Sequence, residues 1–423
     1  MDPRVWFKSI SLENVRSFGT KQTINFTDKD GNATRWNIIL GDNGTGKTTV
    51  LKGLCLLEKE VYVSPHWFKR EWKDGRVSII KSDGKSIYGL SFSLRINTRR
   101  DGLYTSQESV IQIVESGEFS QARPVLFAYG AARRIGTSGL TEETYNGVKS
   151  LFQEDASLVN AEELLVQADY ASLKATEGSE SNYRQIITLL KRLLREEVTD
   201  MRIVANAISR FGPPKVYFRT NYGEVLLHEL SLGYKTLIAW MVDFAKGLFD
   251  RYPESNDPLS EPAVCLVDEI DLHLHPKFQR TIVKFLTETF PNTQFIVTAH
   301  SPLIVVAAEE RPLDANIILL KREGDQTVVV NDPIDVSKWS VDQILNSDLF
   351  GHVPARSEPL TELRTERDAL LSKQKLTLKQ QARLSELDDQ IGFVPFGRDE
   401  AEVQAETIIQ QLANVLRSKQ QEP

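Results

Sequence analysis

The chain is poor in the residues that staple, ligate or anchor. Only two of its 423 residues are cysteine, Cys55 and Cys265, and each lies in an apolar run, LKGLCLLEK and AVCLVDE. Buried thiols suit that setting better than a disulfide or a thiolate metal site, so a disulfide scaffold is excluded and a reducing, cytoplasmic environment is expected. No apolar run approaches the roughly 18 residues that would span a bilayer, and MDPRVWFKS lacks the apolar core of a secretion signal. The expectation is a soluble protein with no membrane partner. A basic excess is lacking as well, since 51 Lys and Arg face 58 Asp and Glu for a formal charge of -7. No global field therefore draws the chain to nucleic acid, and any DNA contact must come from a local patch. No repeat of fixed period occurs either. The length, by contrast, is ample for a substantial core.

What is present is an ordered alternation of strand and helix signals. Residues from Val5 to about Leu40 alternate as strands do, with turn-formers at Asp28 to Asn32. Val50, Leu51, Leu54 and Leu57 then repeat at helical spacing. Short β-type runs between Val77 and Ser116, split by SDGK and RRDG, predict an antiparallel sheet. Between about Thr141 and Ala207 the segments LLVQADYASL and YRQIITLLKRLLREE read as a helical insertion, with the soft stretch TEGSES between them. KVYFRTNYGEVLLHE predicts a hairpin turning at Asn221 to Gly223. A helix from about Tyr234 to Phe249, the buried strand AVCLV, a helix after Pro276 and the strand FIVTA follow. Strands alternating with helices imply a parallel sheet. The tail from about Glu358 to Gln420 is charged and helical, suited to a helical hairpin or to an oligomerisation element.

The chemistry is concentrated in a few short stretches. LGDNGTGKTT contains Gly41, Gly44, Gly46, Lys47 and Thr48 in the order G-x-x-x-x-G-K-[ST], after an apolar strand and before a helix. That context makes it a phosphate cradle: glycines let backbone N–H groups turn inward, and the helix N-terminus adds its positive dipole end. Lys47 would reach the β- and γ-phosphates of ATP, and the Thr48 hydroxyl would ligate Mg2+. AVCLVDEID closes five apolar residues with two acids. Asp268 would hold Mg2+ through water, and Glu269 would accept a proton from the attacking water. FIVTAHSP places His300 just past another buried strand, where it would report the γ-phosphate. His273 and His275 lack the further partners of a metal site and read as loop residues near the nucleotide. In HELSLGYKT, Ser231 and Gly233 begin a helix and offer a second phosphate-binding surface.

The order of cradle, Ser-Gly helix start and acid pair, the last 37 residues beyond Ser231, resembles the ABC-type ATPases. SISLENVRSFG, ELSLGYK, DEIDLHLHPKFQ and FIVTAHSPLIV resemble the SMC/RecF-like branch. Within it they resemble the bacterial defence ATPases related to the overcoming-lysogenization-defect proteins, neighbours of the Septu and PARIS ATPase subunits. The similarity spans roughly residues 5–60 and 211–350.

The resemblance implies an α/β fold, an ABC ATPase head with a mixed β-sheet core flanked by helices and an antiparallel β subdomain. To this the residue pattern adds a helical insertion and a helical C-terminal tail, matched by the resemblance only in kind. The divisions it suggests are 1–136, 137–210, 211–350 and 351–423. Nucleotide would be bound by Gly41, Asp42, Asn43, Gly44, Thr45, Gly46, Lys47, Thr48 and Thr49, with Ser231 and Gly233 reaching the partner's γ-phosphate across a head-to-head dimer or higher homo-oligomer. Asp271 would link the two sites, and Lys47, Glu269 and His300 would carry the catalysis, with Thr48 and Asp268 on the metal.

Two departures stand out. Leu232 and Tyr234 replace the Gly and Gln of transporter signatures, and FAYGAARRIG, where a glutamine loop is usual, contains no Gln. Its Arg133 and Arg134 read equally as phosphate or partner contacts and as a solvated basic turn. Relatives with their own nuclease carry a Toprim domain after the switch histidine. Its Glu and Asp-x-Asp set is not found here, and ANIILLKREGDQTVVVND reads as a hairpin. The leading expectation is therefore a sensing and scaffolding ATPase that controls a separate nuclease or toxin effector in antiphage defence. A RecF-type DNA repair or maintenance ATPase that clamps DNA stands behind it, and a transporter subunit third.

Overall fold

The computed structural model describes residues 4–57, 74–82, 87–101, 104–116, 124–136, 147–173, 179–195, 197–204, 215–309, 315–354, 357–373, 375–392, 402, 404–406 and 408–409. Residues 83–86 and 102–103 of the expected turns, 174–178 of the soft stretch and the tail beyond 409 lie outside the described residues. Strands β1 (Trp6–Glu13), β2 (Gln22–Asn25) and β3 (Trp36–Gly41) precede helix α1 (Lys47–Leu54). Next come β4 (Asp74–Ser82), β5 (Ile87–Asp101), β6 (Tyr104–Ser116) and β7 (Leu126–Tyr129). Helices α2 (Lys149–Phe152), α3 (Ala161–Leu173) and α4 (Ser179–Leu193) lead into β8 (Val198–Val204), β9 (Lys215–Thr220) and β10 (Gly223–Leu226). The second half runs α5 (Leu232–Arg251), β11 (Ala263–Val267), α6 (Pro276–Thr289), β12 (Thr293–Thr298), α7 (Pro302–Ala308), β13 (Asn316–Glu323), β14 (Gln326–Asn331) and α8 (Val341–Leu345). Two tail helices, α9 (Glu358–Leu371) and α10 (Leu378–Ile391), follow.

The central sheet has the order β14-β13-β3-β12-β11-β7 and is parallel except for β14, which closes it as the hairpin partner of β13. AVCLV and TQFIVT are buried at every position, as strands covered on both faces must be. Alternate residues feed two cores. Trp36, Ile38, Leu40, Cys265, Val267, Phe295 and Val297 face the core shared with α3 to α7. Ile39, Val264, Leu266, Ile296, Ile318 and Leu320 face the other, with Phe7, Ile10 and Leu12 of β1 and Val50, Leu51 and Leu54 of α1. Helices thus cover one face, while α1 and the antiparallel sheet β2-β1-β4-β5-β6 cover the opposite one. Gln294, fully buried in β12, joins these layers: its Oε1 accepts from Phe7 N at 2.8 Å and its Nε2 donates to Phe7 O at 2.9 Å.

The helical reading of residues 137–210 holds for α3 and α4 and gives way at Val198–Val204, which pairs antiparallel with β9 in the sheet β10-β9-β8. Helical periodicity ends at Leu194, and VTDMRIV supplies the neighbour that the β9–β10 hairpin would otherwise lack. The apolar faces of α3 and α4, through Leu165, Ile186, Leu189, Leu190 and Leu193, enter the same core as Trp36 and α5.

Residues 1–344 with 348–350 form one compact unit, and 345–347 with 351–423 form a second. In the second, α9 and α10 make a helical hairpin around Leu370 and Leu387. Arg383 forks onto both oxygens of Glu366 at 2.9 and 2.8 Å, and Thr377 and Gln380 form a capping box at the start of α10. No helix among the described residues is long and apolar enough to cross a membrane.

Candidate nucleotide site

β12 lies between β3 and β11, all three parallel, so their C-terminal ends open on one edge of the sheet, where α/β folds place their ligands. Gly41 to Thr49, Asp268 to Asp271 and His300 all gather there.

The loop after β3 is clamped from outside. Gly46 caps α1 with φ +92°, and a Cβ there would sit 2.7 Å from both the Phe18 ring and the Ser17 hydroxyl. Only glycine fits both that backbone and that neighbour. The Ser17 hydroxyl donates to the Thr45 carbonyl at 3.3 Å, and the Thr327 hydroxyl on β14 donates to the same oxygen at 2.9 Å. The lead-in VRSFG turn is therefore part of the cradle's support. Asp42, Asn43 and Gly44 are exposed at the loop's crest, whereas Thr45, Lys47 and Thr49 are buried. The Lys47 ammonium donates to Gly41 O at 2.7 Å and Asp42 O at 2.9 Å. Burial pushes its pKa below the usual lysine value, while the charges of Asp268, Glu269, Asp42 and Asp271 pull it back up.

Asp268, itself buried, sits in a hydrogen-bonded run. Thr48 Oγ1 donates to its Oδ2 at 2.7 Å and Thr298 Oγ1 to its Oδ1 at 2.7 Å; the Thr298 hydroxyl in turn accepts from Glu269 N at 2.7 Å. Two adjacent β-strand ends and the start of α1 are thus tied at one point. Thr48 and Asp268 also fit Mg2+. Both offer hard oxygen donors beside the start of α1, and Mg2+ is usually held by one or two protein oxygens plus phosphates and water, so Thr48 would ligate it directly and Asp268 through water. No cluster of three or more His, Cys, Asp or Glu suited to a metal occurs among the described residues.

Glu269 follows at φ +50°, and His300 N donates to both Asp271 oxygens at 3.2 Å, joining the acid loop to the exposed His300. Gln279 ties the same loop down by donating to Asp271 O and Leu274 O, and it accepts from the Ser301 hydroxyl at 2.6 Å. His275 is the N-cap of α6, its Nδ1 accepting from Lys277 N.

Ser231 and Gly233 lie outside the Thr48–Asp268–Glu269 run. Ser231 is the exposed N-cap of α5 and makes no side-chain capping bond, and Leu232 beside it is 56% exposed. Gly233 packs so tightly on the acid loop that a Cβ would lie 2.4 Å from His273 O. Of the two arginines left open by the sequence, Arg134 is exposed and Arg133 is not a solvated turn: it is buried beneath Glu269. Sequence reasoning missed Thr298. A threonine closing the strand beside the one that ends in the acid pair was the available signal.

Parallel sheet, cradle and acid-ended strand are the arrangement that P-loop ATPases of the AAA/ABC type use, and the chain is similar to them in sequence as well. Two domain families match parts of the chain: residues 168–307 match one described as "AAA domain, putative AbiEii toxin, Type IV TA system", and residues 9–118 match one described as "AAA domain". Among named proteins, the chain is 25% identical over 374 residues to the "Retron Vc95 probable ATPase" of Vibrio cholerae, covering 71% of each chain. It is 23% identical over 398 residues to the Septu protein PtuA of Bacillus mycoides, covering 91% of this chain and 50% of that one. The chain thus spans half the length of that PtuA. A solved SMC head bound to the C-terminal winged-helix domain of ScpA aligns with 77% of this chain and 97% of its own at 16% identity and a TM-score of 0.48.

Proposed function

We propose that the chain is a Mg2+-dependent ATP hydrolase serving as sensor and scaffold in a bacterial antiphage defence system. In this role it holds or releases a separate nuclease or toxin as its ATP-dependent assembly changes. The observation that carries the hydrolase reading is the run from Thr48 through Asp268 and Thr298 to Glu269, which ties the Glu269 backbone to the hydroxyl and carboxylate read as the Mg2+ ligands at the cradle's edge. The defence role is supported by the kinship to Septu PtuA and to a retron ATPase.

The loop N–H groups and Lys47 bind and orient the β- and γ-phosphates. Thr48 and Asp268 hold Mg2+, which when bound offsets phosphate charge in the transition state. Glu269 takes the proton of the water whose oxygen attacks the γ-phosphorus, while the bond to the β–γ bridging oxygen breaks and ADP leaves. His300 touches the γ-phosphate. Ser231 and Gly233 at the exposed start of α5 close over the nucleotide of a second copy, and Asp271 lies between the paired sites.

Phosphate release and light-scattering mass test this together. The parental protein is expected to hydrolyse ATP slowly. Lys47→Ala should lose nucleotide binding, and Glu269→Gln should keep it and grow in mass with Mg-ATP. Parental turnover in Glu269→Gln would remove Glu269 as the base; a Glu269→Gln protein that stays monomeric with and without Mg-ATP would remove the assembly.

A further inference from the structure

We propose that Arg133 is a positioning residue for hydrolysis, fixing the backbone of Glu269 from below so that its carboxylate faces the attacking water; this rests on the hydrolase reading above. Arg133 is an expensive residue to bury. It is 3% exposed, burial pushes its pKa down to about 10, and its Nε has no hydrogen-bond partner among the described residues. Buried charges and orphaned N–H groups oppose folding, so packing alone gives no reason for an arginine here.

What the guanidinium touches supplies one. Its Nη2 donates to the Glu269 carbonyl at 2.7 Å, and its Cζ stands 5.5 Å over the ring of Trp240 on α5. The charges of Asp268, Asp271 and Glu269 support its own, yet among the described residues it donates to a backbone carbonyl and not to a carboxylate. Glu269 occupies φ +50°, a region that residues with a Cβ avoid at a cost of about 1–3 kcal/mol. Its N–H is held by Thr298 and its C=O by Arg133, so both peptides that set the direction of the side chain are pinned. A return to ordinary helical φ would rotate the residue by roughly 110° and carry the carboxylate away. Arg133 is itself anchored, since the next residue's carbonyl accepts from Leu158 N at 2.8 Å and ties the segment to the helical layer. A lysine keeps the charge without the rigid, planar fork.

The test uses the full chain with Arg133→Met and Arg133→Lys, each also combined with Glu269→Gln. Affinity for a fluorescent ATP analogue with Mg2+ and steady-state kcat and KM are measured. Expected is a fall in kcat of about 10- to 100-fold in Arg133→Met, a smaller fall in Arg133→Lys, and KM and Kd within about threefold of the parent. On the Glu269→Gln background either change should add less than about twofold, because both act through one group. An unchanged kcat, a loss of affinity matching the loss of kcat, or full additivity with Glu269→Gln would each overturn the proposal. Should Arg133→Met fail to fold, Arg133→Lys and its double variant decide by the same criteria. A parental protein inert toward ATP that binds the analogue normally would instead sink the hydrolase reading, and this proposal with it.

Discussion

Two hydroxyls flank the Asp268 carboxylate, Thr48 on one oxygen and Thr298 on the other, and the second also holds Glu269 N. Thr298→Val keeps shape and removes that hydroxyl, leaving Asp268 Oδ1 and Glu269 N short of a partner in a buried place. A stability loss of about 1–3 kcal/mol is expected. A kcat loss of about tenfold or more should accompany it, with ATP affinity preserved. Urea melting and phosphate release measure the two. Glycine, lysine and threonine in the cradle were legible because the motif is local. The roles of Thr298 and Arg133 were not, because their partners stand 30 and 136 residues away in the chain.

At the level of elements, the start of α5 is set by contact as much as by propensity. Gly233→Ala would drive a Cβ to 2.4 Å from His273 O, so the first turn of α5 or the acid loop must shift, while the buried run from Thr236 to Ala245 keeps the helix folded. Combined with Glu269→Gln, this change is expected to retain ATP binding and lose the ATP-dependent rise in mass by light scattering. The tail hairpin obeys a different force. Hydrogen bonding from Arg383 holds the Glu366 carboxyl below its ordinary range. A pKa lowered on folding means that the contribution is present above the unfolded value and disappears as pH falls through the folded one. Pairing of α9 with α10 should therefore weaken below about pH 4, and added salt should weaken it at neutral pH because both groups are exposed. Circular dichroism of the parent and of Glu366→Gln across that range checks it; the variant is expected to show the flatter acid response. Hairpin and helix periods in these elements were readable from leucine spacing and from the Asn221 to Gly223 turn. The strand Val198–Val204 was not, because its pairing with β9 bridges residues that the local pattern does not connect.

Across the whole molecule, ligand binding and folding are linked. A nucleotide at about 100 times its dissociation constant stabilises the folded state by about 2.7 kcal/mol. Mg-ATP is therefore expected to raise the melting temperature of Glu269→Gln and to leave that of Lys47→Ala unchanged, a contrast that thermal scanning reads directly. Such linkage should run through the unit of residues 1–344, where both cores meet the sheet that carries the site. By itself the sequence determined what depends on neighbours within a turn or two of chain: strand, loop and helix around Gly41 to Thr49, acids at the end of AVCLV, and short apolar runs of the kind a sheet covered on both faces buries. Tertiary structure alone decided which distant residues meet there. It brought Ser17 and Thr327 to the cradle, Thr298 to Asp268 and Arg133 to Glu269, because those contacts are fixed by strand order and layer packing, which no local periodicity encodes.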